Sequence, residues 1–296
     1  MTGKKEEETM AKNYKAMAAA IPMEDRPISK KNVSGLGNFF GIYGGEHIAA
    51  TEFVIGATLV TLGVKATDIK FVLVVIVLGI IVTLVAANGF EAVAKFSSVC
   101  VPWMIVVFMA GFFVVIPQLI RATGAANLHS FGDFMNLMNT SVWSGAVIKG
   151  GQKLTMFHVA GFAWMCNLAY HGGLNDMALF RYAKSPKYGF VTSYGMFIGH
   201  FFAWGSAGIM GATASILLNK SLLILDSGAI TSAVLGATGL LAVIIAGWTT
   251  ANPSIYRASF AYETIFTKIS PKKVTYGVGA VMTLVGCFPI TTNIMT

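Results

Sequence analysis

The sequence predicts an all-α, polytopic transmembrane helical bundle, and three observations carry that expectation. Of 296 residues, 55% are hydrophobic and 11% are charged, against about 25% charged in an ordinary soluble domain. The apolar residues gather into runs long enough for a helix, rising about 1.5 Å per residue, to cross a hydrocarbon core about 30 Å thick. Within those runs apolar and polar residues do not alternate, which separates helical spans from barrel strands.

Residues 1–35 are polar and mixed in charge, with Lys4, Lys5, Glu6, Glu7 and Glu8 near the start and Arg26, Lys30 and Lys31 near the end. They lack the apolar core and cleavage site of a signal peptide, and read as a disordered cytoplasmic tail. Residues 36–296 form the transmembrane domain, with seven predicted spans at 36–64, 70–88, 92–117, 155–173, 189–218, 230–251 and 274–292. Short inside loops collect Lys and Arg. Lys95, then Arg181, Lys184 and Lys187, then Lys268, Lys272 and Lys273 fall on the same side as the tail. That places the amino terminus in the cytoplasm of a multi-pass protein of the plasma or inner membrane. The net charge of +8 is thereby accounted for by topology, and nucleic-acid binding is not expected. Cys100, Cys166 and Cys287 are far apart in or beside apolar runs, so no disulfide framework or metal-ligand spacing is present.

Three spans carry polar chemistry. The first holds Gly44, Gly45, Glu46 and His47, then Glu52, inside apolar sequence. An ionisable group in a bilayer costs at least about 2.5 kcal/mol on insertion scales, so it faces a cavity or a partner. Adjacent glycines loosen a helix by up to about 1 kcal/mol each. Together they suggest a broken helix whose free carbonyls bind a cation while a carboxylate or imidazole binds substrate or a proton. The alternative is a close helix contact at the glycines, with Glu46 and His47 paired to neighbours. A metal site from Glu46, His47 and Glu52 is disfavoured by helical spacing, which puts Glu52 off the face of both partners.

The fourth span contains Trp164, Asn167, His171, Gly172, Gly173, Asn175 and Asp176, again a pattern for a discontinuous helix lining a cavity. Trp164 can stack on a flat ring, or simply pack; Asn167 offers donors and an acceptor to a heterocyclic amide edge. The sixth span reads Ala246, Gly247, Trp248, Thr249, Thr250, Ala251, Asn252 and Pro253, continuing to Tyr256. Thr249 and Thr250 offer hard oxygen ligands to a small cation, or bond back to their own helix. No nucleophile with a matching base stands out, so an enzyme is not expected.

The Trp248-Thr249-Thr250 segment with the later Tyr256, the Asp176 to Lys184 loop and the Asn88-Gly89-Phe90 to Pro102 stretch resemble the nucleobase:cation symporter family, the purine, cytosine and hydantoin permeases. The resemblance runs over nearly everything after residue 36. It implies a five-plus-five inverted-repeat transporter fold and cation-coupled movement of a nucleobase-like heterocycle such as cytosine, a purine, hydantoin or allantoin. Carried over by this likeness, a sodium site would take Ala246, Thr249 and Thr250 with the Tyr43, Gly44 and Gly45 backbone facing them. Substrate would meet Glu46 or His47, Trp164, Asn167 and Asn252. Coupling would use sodium or a proton. The sequence departs from the family at Ile69-Lys70, where something like helix one passes directly to something like helix four, and helices ten to twelve find no counterpart. The resemblance therefore implies a truncated form that does not transport alone. A homo-oligomer packed through Gly205, Gly208 and Gly211 would cover its open face. The alternative is a non-transporting membrane protein or subunit derived from a permease.

Overall fold

A computed structural model describes residues 28–48, 69–125, 128–147, 149–151, 153, 155–158, 160–161, 164 and 175–288. All regular structure among them is helical, apart from one isolated bridge between Ser34 and Ala183. The principal helices are α1 (Leu36–Ile48), α2 (Ile69–Ala87), α3 (Phe90–Thr123), α4 (Phe131–Leu137), α5 (Met177–Phe180), α6 (Phe190–Tyr194), α7 (His200–Leu218), α8 (Ser227–Leu235), α9 (Ala237–Glu263) and α10 (Pro271–Gly286). Two helical stretches are long and apolar enough to cross a membrane, Phe90–Thr123 with mean hydropathy 2.7 and Pro186–Leu218 with 1.5, and Val72–Ala87 is a shorter apolar helix. The expected tail falls mostly at residues 1–27, outside the described residues.

The boundaries differ from the predicted spans where the backbone obeys rules that hydropathy does not see. The span expected at 230–251 is two helices separated by Gly236, whose φ of 61° and ψ of −145° suit a residue without a Cβ. The second of the two continues to Glu263, past Pro253. The span expected at 189–218 carries a π-helical turn, Gly195–Gly199, between α6 and α7. In the first span the structure corrects the expected break at Gly44 and Gly45: α1 is continuous through both. Gly45 serves close approach instead. A Cβ on Gly45 would stand 3.1 Å from Val101 Cγ2 and 3.2 Å from Thr249 Cβ.

Two apolar clusters form the interior. One is built around Met104, Phe108, Val115 and Leu119 of α3 with Ile209, Met210 and Ala214 of α7; the other joins Phe39, Ile42 and Tyr43 of α1 to Phe90, Leu179 and Tyr256. The α2–α10 contact adds a reciprocal interlock. A Cβ on Gly79 would lie 2.1 Å from Thr283 Oγ1, and one on Gly279 would lie 2.1 Å from Thr83 Oγ1. Each threonine hydroxyl donates to the carbonyl of its own helix's glycine, Thr83 to Gly79 at 2.6 Å and Thr283 to Gly279 at 2.7 Å. Residue 79 meeting 283 while 279 meets 83 makes the pair antiparallel, with a local two-fold axis across it. Small residues with back-bonded hydroxyls let two backbones approach closely at no cost in unpaired polar groups.

The outer surface carries large apolar side chains, among them Leu73, Val77 and Ile80 of α2, Val99, Val106 and Phe113 of α3, and Phe197 and Phe201 near the π turn. Gly205, Gly208 and Gly211, expected as a self-association face, are covered within the chain by Phe112, Trp143 and Leu222 respectively.

Candidate functional site

A buried polar seam runs between α1 and α9, and most of its residues lie in the two segments singled out by sequence. Pro253 sits inside α9, so the Thr249 carbonyl loses the N–H that would normally bond it. Around this point α9 places Ala246, Thr249, Thr250, Asn252, Tyr256 and Arg257, all buried. The Thr249 hydroxyl donates towards two carbonyls, Ala246 O at 2.9 Å and Gly45 O on α1 at 3.2 Å, with Met104 Sδ at 3.6 Å. Thr250 Oγ1 reaches the same Ala246 carbonyl at 3.3 Å, and Ser254 Oγ donates to Thr250 O at 2.8 Å. The back-bonded reading of the threonines is the one seen in these contacts. They bond back to their own helix, and one of them also bridges to the glycine pair on the facing helix.

One turn further along α9 lies a cluster that sequence reasoning missed. Arg257, with a side chain 1% exposed, holds Glu46 of α1 through both terminal nitrogens, and Asp176 Oδ1 through Nη1 at 3.0 Å. The Tyr43 hydroxyl lies beside the same Asp176 carboxylate. The turn bearing Asp176 is fixed by ring packing: Phe39 and Tyr43 both stack on Phe180, and Phe90 stacks on Tyr182 at 4.2 Å between centroids. Tyr182 and Tyr256 share a hydroxyl hydrogen bond at 3.0 Å. Three segments far apart in sequence are thus tied by one guanidinium, whose planar fork suits two carboxylates better than an ammonium would. The signal for it was available, since an arginine four residues beyond Pro253 in an otherwise apolar helix demands a buried partner.

Asn252 is fully buried, and neither its amide nitrogen nor its carbonyl oxygen has a hydrogen-bond partner among the described residues. The same holds for Trp248 Nε1, Ser97 Oγ and Arg257 Nε. An unpaired buried amide costs about 1–3 kcal/mol, so the Asn252 amide calls for a partner from outside the described residues or from a ligand. Beside the seam, the Gly37, Gly41 and Gly44 face of α1 forms one wall of a cavity of about 310 Å³, with Ser98, Pro102 and Tyr194 opposite.

Of the residues expected from sequence, Tyr43, Gly44, Gly45, Ala246, Thr249 and Thr250 are brought together, with Glu46 and Asn252 close by on the same two helices. Glu46 is not open to a ligand, because Arg257 holds its carboxylate. Trp164 is 67% exposed, outside the seam. The His47 side chain, Asn167, His171 and Glu52 lie outside the described residues. No group of three or more His, Cys, Asp or Glu side chains suited to a metal occurs among the described residues, and Cys100 and Cys287 are free thiols. No family model, curated protein or solved structure matches this chain, so the reading of its function rests on the geometry of the α1–α9 seam.

Proposed function

We propose that the chain is a multi-pass membrane permease that couples movement of a planar, nucleobase-like heterocycle to a cation bound in the α1–α9 seam. The observation that carries this reading is the convergence of oxygens at Thr249. Two main-chain carbonyls and two threonine hydroxyls, from two helices, crowd one buried point. Carbonyl and hydroxyl oxygens are the hard ligands that a small monovalent cation prefers. The unsatisfied Asn252 amide, one turn from that point, presents a donor and an acceptor to the complementary edge of a ring amide.

Three further features support a bilayer setting. Two helical stretches have the length and apolarity to cross a membrane, and large apolar side chains face outward along several helices. On a water-soluble monomer, contiguous patches of this kind beyond a few hundred Å² are rare. The antiparallel Gly79/Thr283 and Gly279/Thr83 interlock, with its local two-fold axis, is what two inverted repeats would present where corresponding helices meet.

A second reading, a membrane protein that does not transport, is favoured by one observation. Arg257 already holds Glu46 and Asp176, and Thr249 already bonds to Gly45 and Ala246, so the seam also serves as a helix contact in its own right. Radiolabelled nucleobase and hydantoin binding to the reconstituted chain, with and without sodium, separates the two. On the permease reading, sodium strengthens binding. Thr249→Val or Thr250→Ala weakens the sodium-dependent part by roughly ten- to a hundredfold, the worth of one hydrogen-bonding group to a charge. Equal binding at zero and saturating sodium removes sodium as the coupled ion. No saturable binding of any ring amide removes the permease reading.

A further inference from the structure

One end of the bundle gathers basic side chains from three parts of the chain. The bridge between Ser34 and Ala183, with Ser34 N–H donating to Tyr182 O at 2.7 Å, lays the segment before α1 beside the turn after α5. Lys30 and Lys31, within four residues of Ser34, and Lys184 and Lys187, within four residues of Ala183, thereby flank the same bridge, and all four are exposed. The Arg181 guanidinium sits over the Phe260 ring at 4.9 Å, which joins this turn to the last turns of α9. The chain just beyond carries Lys268, Lys272 and Lys273, also exposed.

Carboxylates at this end do not offset them. Asp176 is held by Arg257 and Glu263 is buried. Glu91 is paired with Lys95 at 2.8 Å. Among the described residues the lysines therefore present an uncompensated positive surface. Exposed apolar and aromatic side chains stand between them: Phe190 is 77% exposed, Ile265 67% and Phe266 48%. A soluble acidic partner or a nucleic acid would have use for the lysines alone. Lysines interleaved with exposed Phe and Ile fit the boundary between headgroups and acyl chains.

We propose that Lys30, Lys31, Lys184 and Lys187, on the two segments joined by the Ser34–Ala183 bridge, form a binding surface for anionic phospholipid headgroups. The phosphate and its negative charge sit against the ammonium groups, while Phe190, Ile265 and Phe266 enter the acyl region. This rests on the bilayer setting proposed above but not on transport, and resistance of the chain to alkaline extraction from membranes tests that setting separately.

The experiment is native mass spectrometry of the full chain released from micelles holding equimolar phosphatidylglycerol and phosphatidylcholine. Bound phosphatidylglycerol should exceed phosphatidylcholine, and the preference should shrink as salt is raised. Combining Lys30→Gln, Lys31→Gln, Lys184→Gln and Lys187→Gln should lower the preference by about fivefold per lysine. Lys184→Gln with Lys187→Gln alone provides the milder version if the fourfold variant fails to fold. Lys220→Gln, at the end of α7, should leave the preference unchanged. Equal retention of the two lipids overturns the proposal, as does a preference that survives the fourfold change or disappears equally with Lys220→Gln. Displacement of phosphatidylglycerol by millimolar inorganic phosphate or by an acidic polypeptide likewise overturns it, since either would show a surface for free anions or for protein.

Discussion

Replacing Arg257 by methionine tests whether the guanidinium is the tie between α1, α9 and the turn before α5. Methionine keeps the length and apolar volume of the side chain while removing the charge. Two carboxylates then lose their cation: Glu46, whose side chain is 3% exposed, and Asp176, which is 19% exposed. Removing one partner of a buried ion pair costs about 3–5 kcal/mol. Most of that cost belongs to Glu46, because water can still reach part of Asp176. The unfolding constant should therefore rise by roughly 100- to 5000-fold, taking about 1.4 kcal/mol per factor of ten. Equilibrium unfolding in mixed micelles, followed by helical circular dichroism, measures it.

The sharper test is the combination of Arg257→Met with Glu46→Gln and Asp176→Asn. Replacing a buried ionic group as a unit is often close to neutral, because the desolvation cost disappears with the charges. The triple variant should recover at least half of the stability lost in the single one. A single-variant loss under about 1 kcal/mol would show that the cluster carries no energetic tie. Additive losses across the three positions would show that the groups do not act as a unit.

Other outcomes follow from the same geometry. Gly279→Ala drives a Cβ to within 2.1 Å of Thr83 Oγ1 and should cost about 1–3 kcal/mol by overpacking. Adding Thr83→Ala should return most of it, and micelle unfolding that shows no recovery would count against the interlock. At the start of α4, Asp133 accepts from the His129 and Ser130 N–H groups at 2.9 and 2.8 Å. The His129 N–H first, then the Ser130 hydroxyl, hold its carboxyl below the usual range. The capping contribution is thus present above the unfolded value of about 3.9 and fades as pH falls through the lower folded value. A carboxyl carbon NMR titration with its midpoint at or above about 3.9 would refute this. Asn252→Leu removes two unpaired polar atoms from the interior, so it should stabilise the chain by about 1 kcal/mol or more while abolishing ring-amide binding. A destabilised Asn252→Leu protein would mean that the amide is structural.

The helical class was legible because the apolar runs in α2, α3 and α7 are continuous and do not alternate with polar residues, a pattern of helices and not of half-buried strands. The seam was legible in part. Thr249, Thr250, Gly45 and Asn252 stood out as polar or helix-loosening residues in apolar surroundings, and the structure sets them on two facing helices. Arg257 was missed because it sits near the predicted cytoplasmic end of its span, where hydropathy treats a basic residue as a loop anchor. Only the fold shows it turned inward onto Glu46. That contact also changes the meaning of Glu46, from a free carboxylate available to substrate into the counter-charge of a buried guanidinium. The expected break at Gly44-Gly45 failed for a local reason. Glycine lowers helix propensity by about 1 kcal/mol, but the close contact it permits with Val101 and Thr249 supplies packing that offsets this loss and keeps α1 regular.

The two contacts made by α9's neighbours differ in what holds them, and the difference assigns them different mechanical roles. Between α2 and α10, threonine side chains fill the space above the opposite glycines, with hydroxyls already bonded to their own helices. Sliding that pair gains no new partner and meets side-chain overlap in either direction. Between α1 and α9, the ties are one threonine hydroxyl shared between two carbonyls and one arginine shared between two carboxylates. Each of those groups has a second partner to keep when it gives up the first. Thr249 can release Gly45 and remain on Ala246, and Arg257 can release Glu46 and remain on Asp176. Glu46 keeps no second partner among the described residues, so parting α1 from α9 carries the cost of an uncompensated buried carboxylate, and that one ion pair holds the seam. On the proposed permease reading, the converging oxygens and the Asn252 amide lie at that same contact.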